Sequence, residues 1–215
     1  MPKKFDDLLK YIAKEGNVMS HTPPLSGEVT ARLGIPPAWE AALTGPSKIE
    51  DQIRLMWTPL AKQMPRTRAA YASSCLALVA VQTDKHPLSL FYCFDLGKAW
   101  MAQRGFPPGG PLPEVASRFP VDLSPLYALH NGLVNFVTED DGPLPLEQWR
   151  LIPDTENGGG LMEILVEGAT ALGFDIAEDP VRAYYLDADD EDDPVDEVED
   201  VWEFLDEYLA DWLED

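Results

Sequence analysis

The sequence is poor in basic residues, in histidine and in cysteine. Its 215 residues include 38 Asp and Glu against 16 Lys and Arg, which gives a formal net charge of −22 at pH 7. Proteins that bind nucleic-acid phosphates neutralise their charge with Lys and Arg, so the excess of acidic residues excludes most nucleic-acid-binding roles. The acidity favours solubility and is compatible with a basic partner.

The two cysteines, Cys75 and Cys93, are too few for a disulfide framework. Both lie in apolar stretches, so we expect them to be buried thiols in a reducing compartment. Residues 1–16 carry acidic residues where a secretory signal needs its apolar run. The longest apolar run, near residues 75–81, is far shorter than the ~20 residues that span a bilayer. The sequence therefore predicts a cytoplasmic protein with no membrane association.

The common catalytic and nucleotide-binding motifs are missing. The sequence contains no HExxH, Cys-x-x-Cys, GxxxxGK[ST], GxGxxG or G-x-S-x-G pattern, and only three histidines, His21, His86 and His130. Cys93 and His130 could form a thiol hydrolase with an acid, but their spacing does not favour this beyond chance. We therefore predict that the protein is not an enzyme and has no cofactor.

The acidic residues do not form a convincing metal motif either. A calcium loop beginning at Asp189 places acids at loop positions 1, 3, 5 and 12, namely Asp189, Glu191, Asp193 and Asp200. Position 6 needs Gly for its sharp turn and is Pro194, and no helix clearly precedes the loop. The pair Asp140 and Asp141 precedes Gly142 and is typical of a turn. We predict no metal site.

Hydrophobic spacing places helices first and strands later. Helices are predicted at residues 3–14, 36–43, 124–130 and after a capping-box pair, Ser47 and Glu50. Strands are predicted at 76–82 and 88–94 as a hairpin, and then at 133–138, 149–152, 161–167 and 182–187. A helix over 67–81 remains an alternative, residues 96–104 favour a helix, and the Pro/Gly-rich segment 106–113 is a loop or an internal boundary.

This order of elements predicts an α+β fold, with a mostly antiparallel sheet flanked by helices. Residues 1–105 would form an N-terminal helical region that leads into the hairpin. Residues 106–215 would form the remaining α+β portion with its acidic C-terminal segment. We expect the two parts to make one compact domain.

The negative charge is concentrated near the C-terminus. Residues 175–215 contain 19 acidic residues and one basic residue, Arg182, a local balance of −18. The run at 187–193 is either a solubilising loop or an electrostatic docking surface for a cationic protein. An amphipathic helix follows it, with apolar residues at positions 198, 201, 202, 205, 208, 209 and 212. We expect that stripe to pack on the core and the acidic face of the helix to stay available outside.

Three stretches resemble the SUKH superfamily. They are Ser124–Phe136, in which a short helix ends at Asn131-Gly132 before a strand, Gly142–Ile152, and Val201–Leu209 as the closing helix. The Asn-Gly pair itself favours a left-handed backbone at a helix end. The resemblance covers roughly residues 120–215. It implies an α+β domain, and many members of the family are bacterial immunity proteins that neutralise a cognate toxin, while others are yeast cell-wall signalling regulators.

The resemblance and the charge together predict an immunity protein that binds a toxin without catalysis. Toxins that attack nucleic acids carry basic clefts, which an anionic surface could fill. The predicted partner-binding residues are Asp187, Asp189, Asp190, Glu191, Asp192, Asp193, Asp196 and Glu197. A regulatory or scaffold protein of the same fold, a metal-dependent hydrolase with an acidic site and an acidic mimic of DNA remain alternatives.

Overall fold

The computed structural model describes residues 4–13, 19–82, 88–97, 99–136, 141–153, 160–187 and 195–213. The helices are α1 (Phe5–Ile12), α2 (Gly27–Leu33), α3 (Pro37–Thr44), α4 (Ile49–Met56), α5 (Pro65–Ser74), α6 (Ser124–Leu129) and α7 (Val201–Asp211). The strands are β1 (Met19–His21), β2 (Cys75–Gln82), β3 (Ser89–Asp95), β4 (Trp100–Gly105), β5 (Leu133–Asn135), β6 (Gly142–Pro143), β7 (Arg150–Pro153), β8 (Gly160–Glu167), β9 (Thr170–Asp175), β10 (Arg182–Asp187) and β11 (Val195–Val198). Short 3₁₀ turns occur at Thr58–Leu60, Glu114–Arg118 and Leu146–Gln148.

The strands form two antiparallel sheets. The first sheet has the order β1-β2-β3-β4-β5, and the second has the order β11-β10-β9-β8-β6, with β7 also paired to β8. The first sheet contains strands from both sides of the irregular segment 106–113. The fold is thus α+β with antiparallel sheets flanked by helices, as the sequence predicts.

The first sheet is covered on both faces. Alternate residues of a strand point to opposite faces. In β3 the side chains of Leu90, Tyr92 and Phe94 enter a large core cluster shared by both sheets and helices α2 to α7. Phe91 and Cys93 enter a smaller cluster on the other face. Helix α1 covers that smaller cluster with two fully buried side chains on its inner face, Leu8 and Ile12.

Helix α7 is anchored to α5 through a buried carboxylate. The backbone N–H groups of Arg66 and Thr67 donate to the two Asp206 carboxylate oxygens, at 3.0 and 2.7 Å, and Thr67 Oγ1 donates to the Asp206 carbonyl at 3.0 Å. The N-cap residue of α5, Met64, supplies no side-chain hydrogen bond, so Asp206 caps this helix from outside. Asp206 is only 4% exposed.

The acidic face of α7 is therefore less available than the sequence predicts. Asp206 is turned inward, and the Arg66 guanidinium binds Glu207 at 2.6 Å and Asp211 at 2.8 Å. The helical periodicity itself is confirmed, since Val201, Leu205 and other apolar residues of α7 pack in the large cluster.

Several further predictions are confirmed. The strands predicted at 76–82 and 88–94 pair as antiparallel neighbours, and α6 is followed by Gly132 with φ of 89°, then by β5. Residues 106–113 have no regular structure. The predicted turn at 83–87 lies outside the described residues. Among the residues that the structure describes, no helix is long and apolar enough to cross a membrane.

Two local predictions are wrong, and one alternative is confirmed only in part. Residues 100–105 form strand β4 rather than a helix, because the buried polar side chains of Gln103 and Arg104 find hydrogen-bond partners in neighbouring elements. Helix α4 begins after Lys48 with no side-chain cap, so the predicted capping box at Ser47 is not formed. Of the alternative helix over 67–81, the part up to Ser74 forms the end of α5, and strand β2 begins at Cys75.

Five elements were not predicted. They are helix α2, which the Ser26 side chain caps through the Val29 N–H at 3.3 Å, and strands β1, β6, β9 and β11. Strand β11 carries two adjacent acids and lies at a sheet edge, so its sequence lacks the apolar alternation of a half-buried strand.

Candidate functional site

The β10–β11 hairpin carries the predicted partner-binding acids that the structure describes. Asp187 is the last residue of β10, and Asp196 and Glu197 belong to β11. Asp189, Asp190, Glu191, Asp192 and Asp193 lie outside the described residues. Strand β11 is the terminal strand of the second sheet and its residues Val195–Glu197 are exposed. The hairpin thus presents carboxylates at a sheet edge.

The described acids do not share one face of the hairpin. Glu197 lies opposite Tyr184, while Asp196 lies opposite Tyr185, whose ring contacts Phe204 of α7 with 5.2 Å between ring centroids. Directly opposed residues in an antiparallel pair point to the same face of the sheet. Asp196 therefore lies on the side of α7, as does Asp187 two residues after Tyr185, while Glu197 lies on the other side.

The basic residue of this region is enclosed by acids. The Arg182 guanidinium lies 3.1 Å from the Glu197 carboxylate and 3.7 Å from the Glu178 carboxylate. These two negative charges raise the pKa of Arg182 above its ordinary value. The Tyr184 hydroxyl donates to Glu178 at 3.1 and 3.2 Å. Partial burial, together with Glu178, raises the pKa of Tyr184. The local positive charge is thus neutralised within the chain, and the surface stays anionic.

An apolar groove lies beside this hairpin, on the side of Glu197. Its volume is about 350 Å³, and its lining comes from the five strands β7 to β11. The lining residues are Ile152, Pro153, Gly160, Leu161, Asp175, Tyr184, Leu186 and Val195. Sequence reasoning missed this groove, because the residues come from separate strands whose register the sequence does not state. The available signal is the apolar residues Leu161 and Leu186, which lie in predicted strands.

The candidate thiol pair is not brought together. Cys93 lies in the small cluster on one face of the first sheet, whereas His130 contacts Tyr92 on the other face, with 2.8 Å between His130 Nε2 and the Tyr92 hydroxyl. Burial lowers the pKa of His130 to about 3, so the ring is neutral near pH 7. Burial also raises the pKa of Cys75 to about 12 and that of Cys93 well above its ordinary value.

The acids of the described residues do not converge on a common point. No group of three or more His, Cys, Asp or Glu side chains in the described ranges is arranged to hold a metal ion. Of the calcium-loop residues considered from the sequence, Asp200 caps α7 by accepting from Trp202 N–H at 2.9 Å and Glu203 N–H at 3.1 Å. The others lie outside the described residues. Asp141 accepts from the Gly168 N–H at 3.1 Å, a contact with a distant part of the chain, and Asp140 lies outside the described residues.

The arrangement of the hairpin and the groove suits recognition of another protein. Carboxylates at the edge supply long-range attraction, and an apolar groove supplies area that can be removed from water. Comparison with protein-family models, with curated proteins and with solved structures finds no match to this chain.

Proposed function

We propose that the protein is an immunity protein that binds and neutralises a toxin domain through the acidic β10–β11 hairpin. The observation that carries this proposal is the position of Asp187, Asp196 and Glu197 on a hairpin whose outer strand, β11, is exposed at the edge of a sheet, in the most acidic part of the chain. The resemblance of residues 120–215 to the SUKH superfamily supports the same function.

Charge complementarity is the physical basis of the proposed inhibition. A toxin that cleaves or modifies nucleic acid needs Lys and Arg in its cleft, and these attract a surface of opposite sign. Attraction of this kind speeds association and disfavours partners of the wrong charge. The sole basic residue of 175–215, Arg182, is bound to Glu178 and Glu197, so it adds little repulsion toward a cationic partner.

The first experiment is co-expression with the neighbouring open reading frame. That gene is induced alone and then together with this chain, and growth is scored. An immunity protein restores growth that the neighbour arrests. A harmless neighbour, or one that kills in the presence of this chain, contradicts the proposal and favours a regulatory or scaffold protein of the same fold.

The second experiment measures binding of the purified pair. A variant with Asp190→Asn, Asp192→Asn, Asp196→Asn and Glu197→Gln should associate more slowly, bind more weakly and show a flatter salt dependence. The matched control removes four exposed acids elsewhere, by Glu28→Gln, Glu40→Gln, Asp51→Asn and Glu114→Gln. Because both variants change the net charge equally, only a local role of the hairpin makes them differ. Equal association rates for the two variants at low salt would refute the role of the hairpin.

A further inference from the structure

The second sheet has one covered face and one open face. Phe174 of β9 and Ala183 of β10 are directly opposed and buried in the large core cluster. Alternation along each strand turns Tyr184 and Leu186 to the opposite face. Leu186 is opposed by Val195 on β11, and Ile152 is opposed by Leu161 across β7 and β8. Apolar side chains from four strands therefore meet on the open face, where they line the groove.

The groove leaves apolar side chains exposed to water. Val195 is 47% and Ile152 is 38% exposed. A volume of about 350 Å³ lies at the lower end of the roughly 300–1,000 Å³ typical of ligand pockets. This size suits a few side chains of a partner. Among the lining residues the charged one is Asp175, at the end of β9.

Two further acidic residues, Glu178 and Glu197, lie beside the groove. Glu197 lies two residues after the lining residue Val195, on the same face of β11. Glu178 accepts a hydrogen bond from the hydroxyl of the lining residue Tyr184. The nearby bases are neutralised, since Arg150 is paired with Glu163 and Arg182 with Glu178 and Glu197. In the sequence, the lining residues also flank two acidic segments, 154–159 and 188–194, which together contain seven Asp or Glu and no Lys or Arg.

From this combination we infer that the groove binds a protein segment of the partner that places one or two apolar side chains between Lys or Arg residues. The apolar side chains occupy the space between Ile152, Leu186 and Val195, and the flanking cations face Asp175 and Glu197. The inference deepens the proposed function and rests on it for the partner being a toxin protein. It adds the chemistry of the recognised segment and an apolar anchor that the acidic run alone does not provide.

Charge also argues against a second copy of this chain as the occupant. Two copies meeting through this face would bring Asp175, Glu178 and Glu197 of each toward like charges, and each chain carries a net charge of −22. A cationic segment instead gains attraction where a second copy meets repulsion.

The test with the isolated protein uses defined peptides. The ¹⁵N- and methyl-labelled protein is titrated with the peptide Lys-Lys-Leu-Leu-Lys-Lys, and its signals are followed by NMR. The largest shifts should fall on Ile152, Leu161, Leu186 and Val195. A peptide with Ser in place of Leu should bind at least threefold more weakly, and a peptide with Glu in place of Lys should not bind. Shifts centred elsewhere, or equal affinity for the Leu and Ser peptides, would overturn the inference.

Substitutions at the rim give a matched comparison. Val195→Ser and Ile152→Ser each remove part of the apolar area that a ligand would cover, so peptide affinity should fall roughly three- to tenfold. Leu76→Ser is the control, since Leu76 is 52% exposed but lies in the first sheet. Thermal unfolding establishes that each variant is folded. Unchanged affinity of both rim variants would refute the inference.

Two further measurements separate this inference from the proposed function. If wild type rescues growth and both rim variants bind the toxin as tightly as wild type does, the groove is refuted and the immunity function stands. If wild type does not rescue growth, the immunity function fails, and the peptide titration still decides whether the groove binds such segments. Sedimentation at the NMR concentration should show a monomer, and a dimer that Val195→Ser dissociates would overturn the inference in favour of self-association.

Discussion

The buried carboxylate of Asp206 should contribute more to stability than any exposed acid of α7. It accepts hydrogen bonds from two backbone N–H groups at the first turn of α5, those of Arg66 and Thr67. In the variant Asp206→Asn, one oxygen remains to accept, while the new NH₂ group faces an N–H donor and cannot pair with it. The substitution therefore loses one charge-assisted hydrogen bond, leaves a buried donor unpaired and removes a negative charge from a helix N-terminus.

The expected loss follows from these three effects. A hydrogen bond to a charged group contributes about 1.5–3 kcal/mol, and a buried unpaired donor costs about 1–3 kcal/mol. These two figures describe the same lost interaction, so they are not added together. The interaction of the charge with the helix dipole adds about 0.3–1 kcal/mol. We expect Asp206→Asn to lower the free energy of unfolding by about 2–3 kcal/mol, and Tm by about 5–10 °C for a chain of this size.

The assay is urea unfolding followed by tryptophan fluorescence, with the transition midpoint compared at constant m-value. The matched control is Asp211→Asn, which removes an acid of the same helix that is exposed and paired with the same arginine, Arg66. Exposed ion pairs contribute about 0–1 kcal/mol, so the control should stay near wild type. If Asp206→Asn lies within about 0.5 kcal/mol of Asp211→Asn, the capping interaction does not stabilise the fold as argued.

Three other predictions concern the core. The His130 ring should stay neutral down to about pH 4, because burial lowers its pKa from 6.5 to about 3. Between these two pKa values the unfolded chain binds a proton that the folded chain does not, so this residue makes stability fall as the pH falls from about 6.5 to about 3. An NMR titration midpoint above about 5.5 would contradict this. Gly105→Ala should lower the free energy of unfolding by about 1–3 kcal/mol, since its Cβ would lie 2.5 Å from His130 Nδ1. The control Gly110→Ala, whose Cβ meets nothing within 4 Å, should stay near wild type. Equal melting temperatures of the two variants would show that the His130 ring can move aside. Cys75 and Cys93 should react with a thiol reagent far more slowly in the native protein than in urea, because burial disfavours both thiolates, and rapid labelling of the native state would exclude this.

The local elements were predictable where one segment carries its own pattern. The β2–β3 hairpin, α6 and α7 each show apolar spacing that matches their burial. Strand β4 was not predictable in this way. Its Gln103 and Arg104 are buried and bonded to Tyr71 and Ser89, which lie 32 and 15 residues away in sequence. A polar residue that is buried through a distant partner gives no local signal of burial.

The candidate site was predictable in charge but not in shape. The concentration of acids after residue 175 is visible in the sequence, and Asp187, Asp196 and Glu197 are found on one hairpin. Their division between two faces depends on the register of β10 against β11. The groove depends on five strands meeting, and the inward turn of Asp206 depends on the start of α5. These features are long-range pairings, which periodicity within one segment cannot specify.

The small cluster under α1 also sets an order of events during synthesis. Leu8 and Ile12 leave the ribosome early, but the surface they cover is built from residues between Val79 and Phe136. At about 5–20 residues per second, the ribosome needs on the order of ten seconds to make the intervening chain. Through that interval the nascent helix has no native surface to cover, and its apolar side is accessible to chaperones. Docking of α1 therefore follows assembly of the first sheet, and it closes a face that the sheet cannot shield by itself.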